Sequence, residues 1–479
     1  MSRTTFGTRL VCAVAVALAA ASPAAAQGAN GGPFAGLFGG GTKGDQSLDL
    51  RGGFFGTYDD NLLAQAPNGG DPLSFDPRLQ SRGLASGFNS SLSYGFGHVG
   101  HGRSRSLFQF GAVAAVSEFS TGLSAGTLWS PSSQANAAFS TNLTPKISIQ
   151  VRANAGYAPY YQYAPFLNNV SPSTVVPADT STTASSDTAA ENIPALPNTT
   201  PQVNPVNSDT GFATSSNWVS TVAGSAMITD RFTKRTGISA DVGADQEQII
   251  GRAHVLNEYA HSQLSHNLTR KLSVHIGYGL LQSEYTNEGG PTQRTFNHLV
   301  DFGADYGDGG RFTFGRYYTL TFSTGLSTLH QGNQTAFNLN GAVNLSRSIG
   351  RSWSASIGAA RATQYVLGIV QPLLTDSINA GFGGEILPRL QFTAGGGYMR
   401  GQQAFFASDS AIQSKSVSSK LTFALARYMG LYAQYSYYQY DIPAGFFQLD
   451  FPRNFNRRMA TVGLTFWAPI INQRPASNR

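Results

Sequence analysis

The sequence predicts an all-β fold: a transmembrane antiparallel up-and-down β-barrel of about 18 strands, with 16–20 possible, short periplasmic turns and long external loops. Three observations predict this fold. Only 12% of the 479 residues are charged, whereas 11% are aromatic and 54 are glycine. Apolar side chains recur at every second position from residue 47 onward. Short and long connections alternate along the chain, as they do in outer-membrane barrels.

The composition also excludes several classes of protein. A helical membrane protein needs runs of about 20 apolar residues, and no such run follows residue 27. Disordered chains have few aromatic residues and a high net charge, unlike this one. The formal net charge of +6 is spread thinly, so we expect no nucleic-acid partner. The single cysteine, Cys12, lies in the N-terminal apolar segment, so a processed chain would have no disulfide or cysteine metal site.

The N-terminus has the features of a cleaved export signal. Arg3 and Arg9 form a positively charged region before an apolar stretch over residues 10–21. Small residues with an Ala24-x-Ala26 pattern follow the stretch. We therefore predict a signal peptide over 1–26 and localisation in the outer membrane of a bacterium. The glycine-rich segment 27–46 is predicted to be a flexible linker.

The barrel itself is predicted over residues 47–467. In the segment 147–157, for example, Ile, Val, Ala and Tyr alternate with Ser, Gln, Arg and Asn. Such a strand needs an apolar environment on one side and water on the other. The same pattern predicts strands that begin near residues 47, 86, 105, 133, 147, 215, 236, 254, 271, 294, 312, 335, 352, 377, 389, 415, 430 and 457.

The connections between these strands alternate in length. Short turns are predicted at 142–146, 227–231 and 267–271, and longer external loops at 245–252, 327–334 and elsewhere. The longest loop, 158–214, is rich in Ser, Thr and Pro, and it either folds inward as a constriction or stays outside the barrel. Residues 468–479 are predicted to form a C-terminal tail.

A secreted β-sandwich is the alternative fold, because it would bury its apolar faces against a second sheet. Aromatic residues near the strand ends favour the barrel, since barrels carry aromatic girdles at both membrane interfaces. In lipid the sheet must close, because an open edge would expose unpaired backbone groups. These aromatic residues include Tyr157, Tyr160, Tyr161, Tyr306, Tyr317, Tyr318, Trp353, Tyr398, Tyr435, Tyr437 and Trp467.

Several short motifs resemble those of a known family. The predicted first strand ends in Tyr58-Asp59-Asp60-Asn61-Leu62, turns of the form Leu-Thr-x-Arg/Lys recur, and the last strand runs from Arg457 to Phe466. Over roughly 47–467 the chain resembles the beta-barrel porin 2 family of bacterial outer-membrane proteins. The resemblance implies an outer-membrane barrel, and some members of that family are associated with exopolysaccharide export. The chain departs from the usual aromatic terminus of such barrels, because residues 468–479 follow Trp467.

The polar positions of the predicted strands form the candidate lumen lining. Most are neutral amides, which both donate and accept hydrogen bonds and could hydrate a passage or contact sugar hydroxyls. The alternative is that these side chains merely satisfy one another. The predicted lumen-lining residues are Gln150, Arg152, Asn154, Asp241, His275, Asn297, Asp301, Asp305, Asn338, Asn340, Asn344 and Lys420.

No motif indicates catalysis. The eight histidines include no His-Glu-x-x-His arrangement, and the chain has no Gly-x-Ser-x-Gly elbow, so we predict that the protein is not an enzyme and has no cofactor. His98 and His101 lie in a predicted turn and could bind a metal as a pair. The oxygens of Asp59-Asp60-Asn61 suit Ca²⁺, although turn chemistry explains the same residues more simply.

Three functions remain open on this basis. The first is a barrel that passes small polar solutes or assists export of surface polysaccharide. The second is a structural or secretion-associated barrel with a closed lumen. The third is a lipid hydrolase that uses His254, His261 and His275. The expected partners are outer-membrane lipid and lipopolysaccharide, the outer-membrane insertion machinery, and polysaccharide or small polar solutes. A TonB-type receptor is not expected, because the segment 27–46 before the first strand is too short for a plug domain.

Overall fold

The computed structural model describes only part of the chain. The predicted signal peptide 1–26 and residues 160–214 of the predicted long loop 158–214 lie outside the described residues, whereas 158–159 belong to a strand. Among the described residues, no helix is long and apolar enough to span a membrane. These residues are 34, 37–38, 46–60, 83–99, 105–119, 128–159, 218–249, 253–269, 272–287, 290–306, 312–314, 318–349, 352–365, 369, 371–405, 410–443 and 454–473.

The described residues form 19 β-strands. Apart from the three-residue β11, each strand has between 12 and 20 residues, which is longer than the crossing length of about 10 residues. The strands are β1 (Gln46–Asp59), β2 (Gly83–Val99), β3 (Arg105–Phe119), β4 (Leu128–Asn142), β5 (Ile147–Pro159), β6 (Trp218–Arg231), β7 (Thr236–Ile249), β8 (Ala253–Asn267), β9 (Leu272–Asn287), β10 (Gln293–Tyr306), β11 (Phe312–Phe314), β12 (Tyr318–Gln331), β13 (Gln334–Ile349), β14 (Trp353–Gln364), β15 (Leu373–Leu387), β16 (Leu390–Gln403), β17 (Ile412–Ala426), β18 (Met429–Asp441) and β19 (Asn454–Gln473).

The sheet closes on itself. Each long strand pairs in antiparallel fashion with the long strands before and after it, and β1 pairs with both β2 and β19. The β1–β19 seam runs from the pair Gln46 and Gln473 to the pair Asp59 and Met459. Closure removes the unpaired edge that a sheet cannot expose to lipid. The predicted fold class, a closed antiparallel barrel, is therefore confirmed.

Eighteen long strands form the wall, as predicted, and β11 is a small addition to it. β10 pairs directly with β12 from Phe296 with His330 to Phe302 with Thr324. β11 pairs only with the first residues of β12, through Phe312 with Leu320 and Phe314 with Tyr318. The single strand predicted from residue 312 is thus divided into β11 and β12.

The two faces of the wall differ in polarity. Large apolar side chains point outward and are exposed, such as Val222 (61%), Leu339 (60%) and Phe337 (71%). Polar side chains occupy the alternate positions and are largely buried, such as Asn338 and Asn340 on either side of Leu339. This alternation gives the barrel an apolar outer surface and a polar lumen, because successive strand residues point to opposite faces.

Outward-facing aromatic pairs lie near both ends of the wall. Tyr157 stacks on Trp218, with ring centroids 4.9 Å apart, at the end where the long connections lie. Trp353 packs against Phe382, with centroids 4.7 Å apart, near the opposite end. Their positions fit the aromatic girdles that mark the two membrane interfaces. We call the end with the long connections the external end.

Two short turns share the same threonine chemistry. The hydroxyl of Thr144 accepts hydrogen bonds from the backbone N–H groups of Lys146 and Ile147. The hydroxyl of Thr233 accepts them in the same way from Arg235 and Thr236. This side-chain bonding replaces the lost ladder bonds and closes a four-residue turn. The turn predicted at 227–231 is wrong in position, because those residues still belong to β6 and the turn follows them.

Several strands extend further toward the external end than the sequence predicts. The predicted loop 245–252 is wrong, because β7 continues to Ile249 and β8 begins at Ala253. The predicted loop 327–334 is a two-residue turn at Gly332 and Asn333, where Gly332 adopts a φ of 57°. Polar strand residues at these positions had the composition of loops, so the period of two was the better guide.

The two ends of the barrel also differ from their predicted form. β19 continues to Gln473, six residues beyond the predicted barrel end at 467, because residues 468–473 pair with the first residues of β1. In the predicted flexible segment 27–46, the backbone N–H groups of Leu37 and Phe38 bond to the carbonyl of Phe34. Phe34 is buried, with the Arg389 guanidinium 5.4 Å from its ring centroid. Part of the predicted linker therefore packs against the periplasmic end.

Candidate functional site

The structure places the predicted lumen-lining residues on one face of the wall. Strand registers put all twelve at inward-facing positions, although for Asp305 only the backbone position, paired with Ser273, is described. Their role in passing a solute stays a prediction. These residues are Gln150, Arg152, Asn154, Asp241, His275, Asn297, Asp301, Asp305, Asn338, Asn340, Asn344 and Lys420.

Four of the inward-facing carboxylates lie on β7 and β10. We call this group, Asp241, Asp245, Glu247 and Asp301, the acidic wall. Asp245, Glu247 and Asp301 are only 4%, 3% and 4% exposed. His261 of β8, between the two strands, can offset at most one of the four negative charges.

His261 bridges two members of the acidic wall. Its Nδ1 lies 3.1 Å from Asp241 Oδ1, and its Nε2 lies 3.3 Å from Asp301 Oδ1. His275 Nε2 lies 3.6 Å from the second oxygen of Asp301. The group needs space, which Gly277 supplies: a methyl group there would lie 2.8 Å from His261 Nε2 and would overlap Asp301 Oδ1.

The sequence patterns did not identify the part of this site that lies nearer the external end. Asn257 Nδ2 donates to Asp245 Oδ2 over 2.8 Å, and both side chains are buried. Asp245 and Glu247 fell in the predicted loop 245–252, and Asn257 was not selected. The available signal was the even spacing of Asp241, Asp245 and Glu247, which places all three on one face of a strand.

The opposite wall has a different charge balance. β18 lies nine strand steps from β8 in either direction around the 18 long strands. On this side, the guanidinium of Arg457 binds the carboxylate of Asp59, with Nε 2.8 Å from Oδ2. Lys420 Nζ lies 4.4 Å from the centroid of the Tyr432 ring. Cationic and anionic side chains are nearly balanced here, so the acidic wall makes the lumen electrostatically asymmetric.

Arg152 of β5 is an inward-facing cation two strands from the acidic residues of β7. Strand pairing places it beside Ser225, which pairs in turn with Gly243. The ring of Tyr259 lies over Gly243, where a methyl group would come 2.6 Å from the ring. Tyr259 therefore spans the space between the row of Arg152 and the acidic wall.

Described residues of two external connections pack on the inner face of the wall. Tyr365 follows β14 and Ala404 follows β16, yet both belong to one buried cluster with Leu281 of β9 and Leu329 of β12. We call these four residues the inward apolar cluster. Tyr259, Ala336, Leu374 and Phe405 pack against it. These inward-facing side chains narrow the lumen near its external end.

The remaining candidate residues do not form a site together. His254 occupies an outward-facing position on β8, whereas His261 and His275 face inward, so the three histidines of the hydrolase hypothesis are separated by the wall. Asp59 binds Arg457, and Asp60 Oδ1 accepts the backbone N–H of Arg458. In the described part of the chain, no group of three or more His, Cys, Asp or Glu residues is arranged to hold a metal ion. His101 and Asn61 lie outside the described residues.

The comparisons with known proteins return only distant structures. No protein-family profile matches the chain, and no curated protein matches it. Pseudomonas aeruginosa OccK11 (OpdR) is 11% identical, with a TM-score of 0.38 over 90% of this chain and 98% of that chain. The P. aeruginosa siderophore receptor PirA is 7% identical, with a TM-score of 0.39 over 89% and 81%. Acinetobacter baumannii OccAB4 is 10% identical, with a TM-score of 0.38 over 89% and 99%.

At such low identity and TM-score, these likenesses carry no argument about function. The resemblance to the beta-barrel porin 2 family stays a prediction. The membrane assignment follows from the barrel itself, because its strands close into a ring, its outer surface is apolar, and aromatic pairs lie near both ends. A closed barrel with an apolar exterior is the strand architecture that crosses lipid. The protein is a transmembrane β-barrel of the bacterial outer membrane.

Proposed function

We propose that the barrel is a channel that passes small polar solutes across the outer membrane. The observation that carries this proposal is the continuous polar inner face, with Asn338 and Asn340 near the external end and Asn344 further toward the periplasm. Amides and hydroxyls that face a lumen replace the water of a passing solute. The acidic wall adds a field across the lumen, which orients a dipolar solute.

A narrowed lumen favours small solutes over a polymer. The inward apolar cluster brings Tyr365, at the end of β14, together with Leu329 of β12 and Leu281 of β9. No observation supports the predicted assistance to polysaccharide export. The same cluster favours the alternative function, a structural barrel whose lumen is closed.

Purified protein in a planar lipid bilayer distinguishes these two functions. We expect discrete conductance steps, because a polar lumen holds water and ions. Swelling of vesicles that contain the protein, in solutions of small sugars and amino acids, gives an independent measure of solute entry. Absence of both conductance and swelling, in protein that migrates differently before and after boiling, would retire the channel and leave the closed barrel.

Replacing Tyr365 by alanine tests the role of the inward apolar cluster. We expect a larger single-channel conductance, because removal of a buried ring from the cluster opens space in the narrowed part of the lumen. Tyr157→Ala is the matched control, since Tyr157 also loses a ring but faces outward and stacks on Trp218. Equal conductance in both variants and the parent would show that the cluster does not limit the current.

The lipid partners are part of the same proposal. Arg400, Lys415 and Arg458 occupy outward-facing positions near the external end of β16, β17 and β19. Cationic side chains at a membrane interface attract anionic headgroups. We infer that they contact lipopolysaccharide phosphates, while recognition by the insertion machinery stays a prediction.

A further inference from the structure

At and beside the external part of the acidic wall, three buried oxygens receive no hydrogen bond. Asp245 Oδ1, Asn257 Oδ1 and Asn297 Oδ1 have no hydrogen-bond partner. Their side chains are 4%, 1% and 2% exposed. Burying an acceptor without a hydrogen bond is unfavourable, so three such oxygens on β7, β8 and β10 favour a ligand that brings donors.

Two of these residues, Asp245 and Asn257, are neighbours in the wall, and Asn297 lies two strands from Asn257 and two residues further along. Asp245 is in register with Asn257, and the hydrogen bond between them leaves one free oxygen on each. Asn257 pairs with Ser283, which is two residues from Leu281, the partner of Asn297. Three acceptors, one of them a carboxylate oxygen, thus face the lumen across β7–β10.

Aromatic and apolar side chains border the same acceptors. Tyr259 pairs with Leu281, and Asn297 pairs with Leu281 on one side and Leu329 on the other. Leu281 and Leu329 belong to the inward apolar cluster, against which Tyr259 packs. The acceptors therefore lie beside the inward apolar cluster, near the external end of the lumen.

Carboxylate oxygen, amide oxygen and an aromatic ring together suit a cation with N–H donors. An ammonium group has three donors and a guanidinium has five, and both are attracted to aromatic faces. The charges nearby agree with this chemistry. Asp241 and Glu247 lie on β7 with Asp245, and Asp301 lies on β10 with Asn297. The basic side chains nearby are His261 and, further away, Arg152.

We propose that Asp245, Asn257 and Asn297 form a binding subsite for solutes that carry an alkylammonium or guanidinium group. The proposal rests on the proposed function, because a channel brings solutes to this level of the lumen. It narrows that function from small polar solutes in general to cationic amines. The subsite holds the cation through its N–H groups, so charge without donors is not enough.

Calorimetric titration of the detergent-solubilised full barrel measures this binding without requiring conduction. The probe is butane-1,4-diamine, and 1,4-bis(trimethylammonio)butane is the comparison, because it has the same two positive charges but no N–H donor. We expect the diamine to bind about tenfold or more tightly than this quaternary analogue, as hydrogen bonds to charged groups add that much affinity. Equal affinity for the two probes would overturn the proposal.

Two substitutions test the residues of the subsite. Asp245→Asn removes the charge at nearly constant volume and is expected to weaken diamine binding about tenfold. Asp376→Asn is the matched control, because that carboxylate is on the outer face in a pair with Arg361, and binding should not change. Asn297→Leu, which removes the third acceptor, should also weaken binding, and serves if Asp245→Asn does not fold. Unchanged affinity in the folded variant would overturn the proposal.

The bilayer measurement separates the two proposals. Diamine binding in a protein that gives no conductance would retire the channel and keep the subsite. Conductance in a protein that binds the diamine no better than its quaternary analogue would keep the channel and overturn the subsite. In a conducting protein that has the subsite, diamine added at the external side is expected to interrupt the current, and Asp245→Asn to shorten the interruptions.

Discussion

Replacing Asp59 by alanine is expected to lower the free energy of unfolding by about 3–5 kcal/mol. The Asp59 side chain is fully buried and binds the guanidinium of Arg457, whose side chain is 7% exposed. Removing the carboxylate leaves a buried cation without its principal anion, at the seam that closes the barrel. Denaturant unfolding of the protein in lipid vesicles measures the loss.

The control is a second ion pair, which is partly exposed. Arg294 and Glu284 lie on the outer face near the external ends of β10 and β9, with side chains 63% and 21% exposed, so Glu284→Ala should cost about 1 kcal/mol or less. The double variant Asp59→Leu with Arg457→Met should recover most of the stability, because neither charge is then buried alone. Similar losses for Asp59→Ala and Glu284→Ala would contradict the importance of burial at the seam.

Arginine in place of Val343 is expected to destabilise the barrel by about 2–4 kcal/mol. Val343 is in the middle of β13, faces outward and is 43% exposed, which in the membrane means contact with lipid. A cation at the bilayer midplane loses its water and finds no partner. The fraction of protein that refolds into vesicles, read from unboiled gels, and the unfolding free energy both report the effect.

Asn344→Arg provides the matched comparison on the same strand. Asn344 is adjacent to Val343, faces the lumen and is exposed, so a cation there stays in water. We expect a change in stability much smaller than that of Val343→Arg. A loss of similar size in both variants would show that the outward face of β13 is not the lipid face.

Periodicity predicts the wall well because two solvents impose it. Strands such as β5 and β13 alternate strictly, since each outward residue meets lipid and each inward residue meets water. The strand count, the closed topology and the inward placement of Gln150 or Asn340 follow from this alternation. The signal peptide 1–26 stays a prediction, because it lies outside the described residues.

The sequence is a poorer guide to strand ends and to contacts across the lumen. Polar strand residues near the external end, such as Asp245 and Glu247, have the composition of a loop, and only their pairing with β8 identifies them as wall. The inward apolar cluster joins Leu281 with Tyr365 and Ala404 from distant parts of the chain. No local pattern encodes a contact that depends on how the ring of strands closes.

Because β1 and β19 are paired along their length, the barrel could close in the same way if the chain began at another strand. Gln46 and Gln473 are paired neighbours at the periplasmic end, about 5 Å apart as adjacent strands are. A short peptide bridge can therefore join these two residues, and the chain can be cut instead in the exposed turn at 143–146. Such a circular permutant starts at β5 and ends with β4. Every described pairing between long strands is retained, and the β4–β5 pairing becomes the new seam.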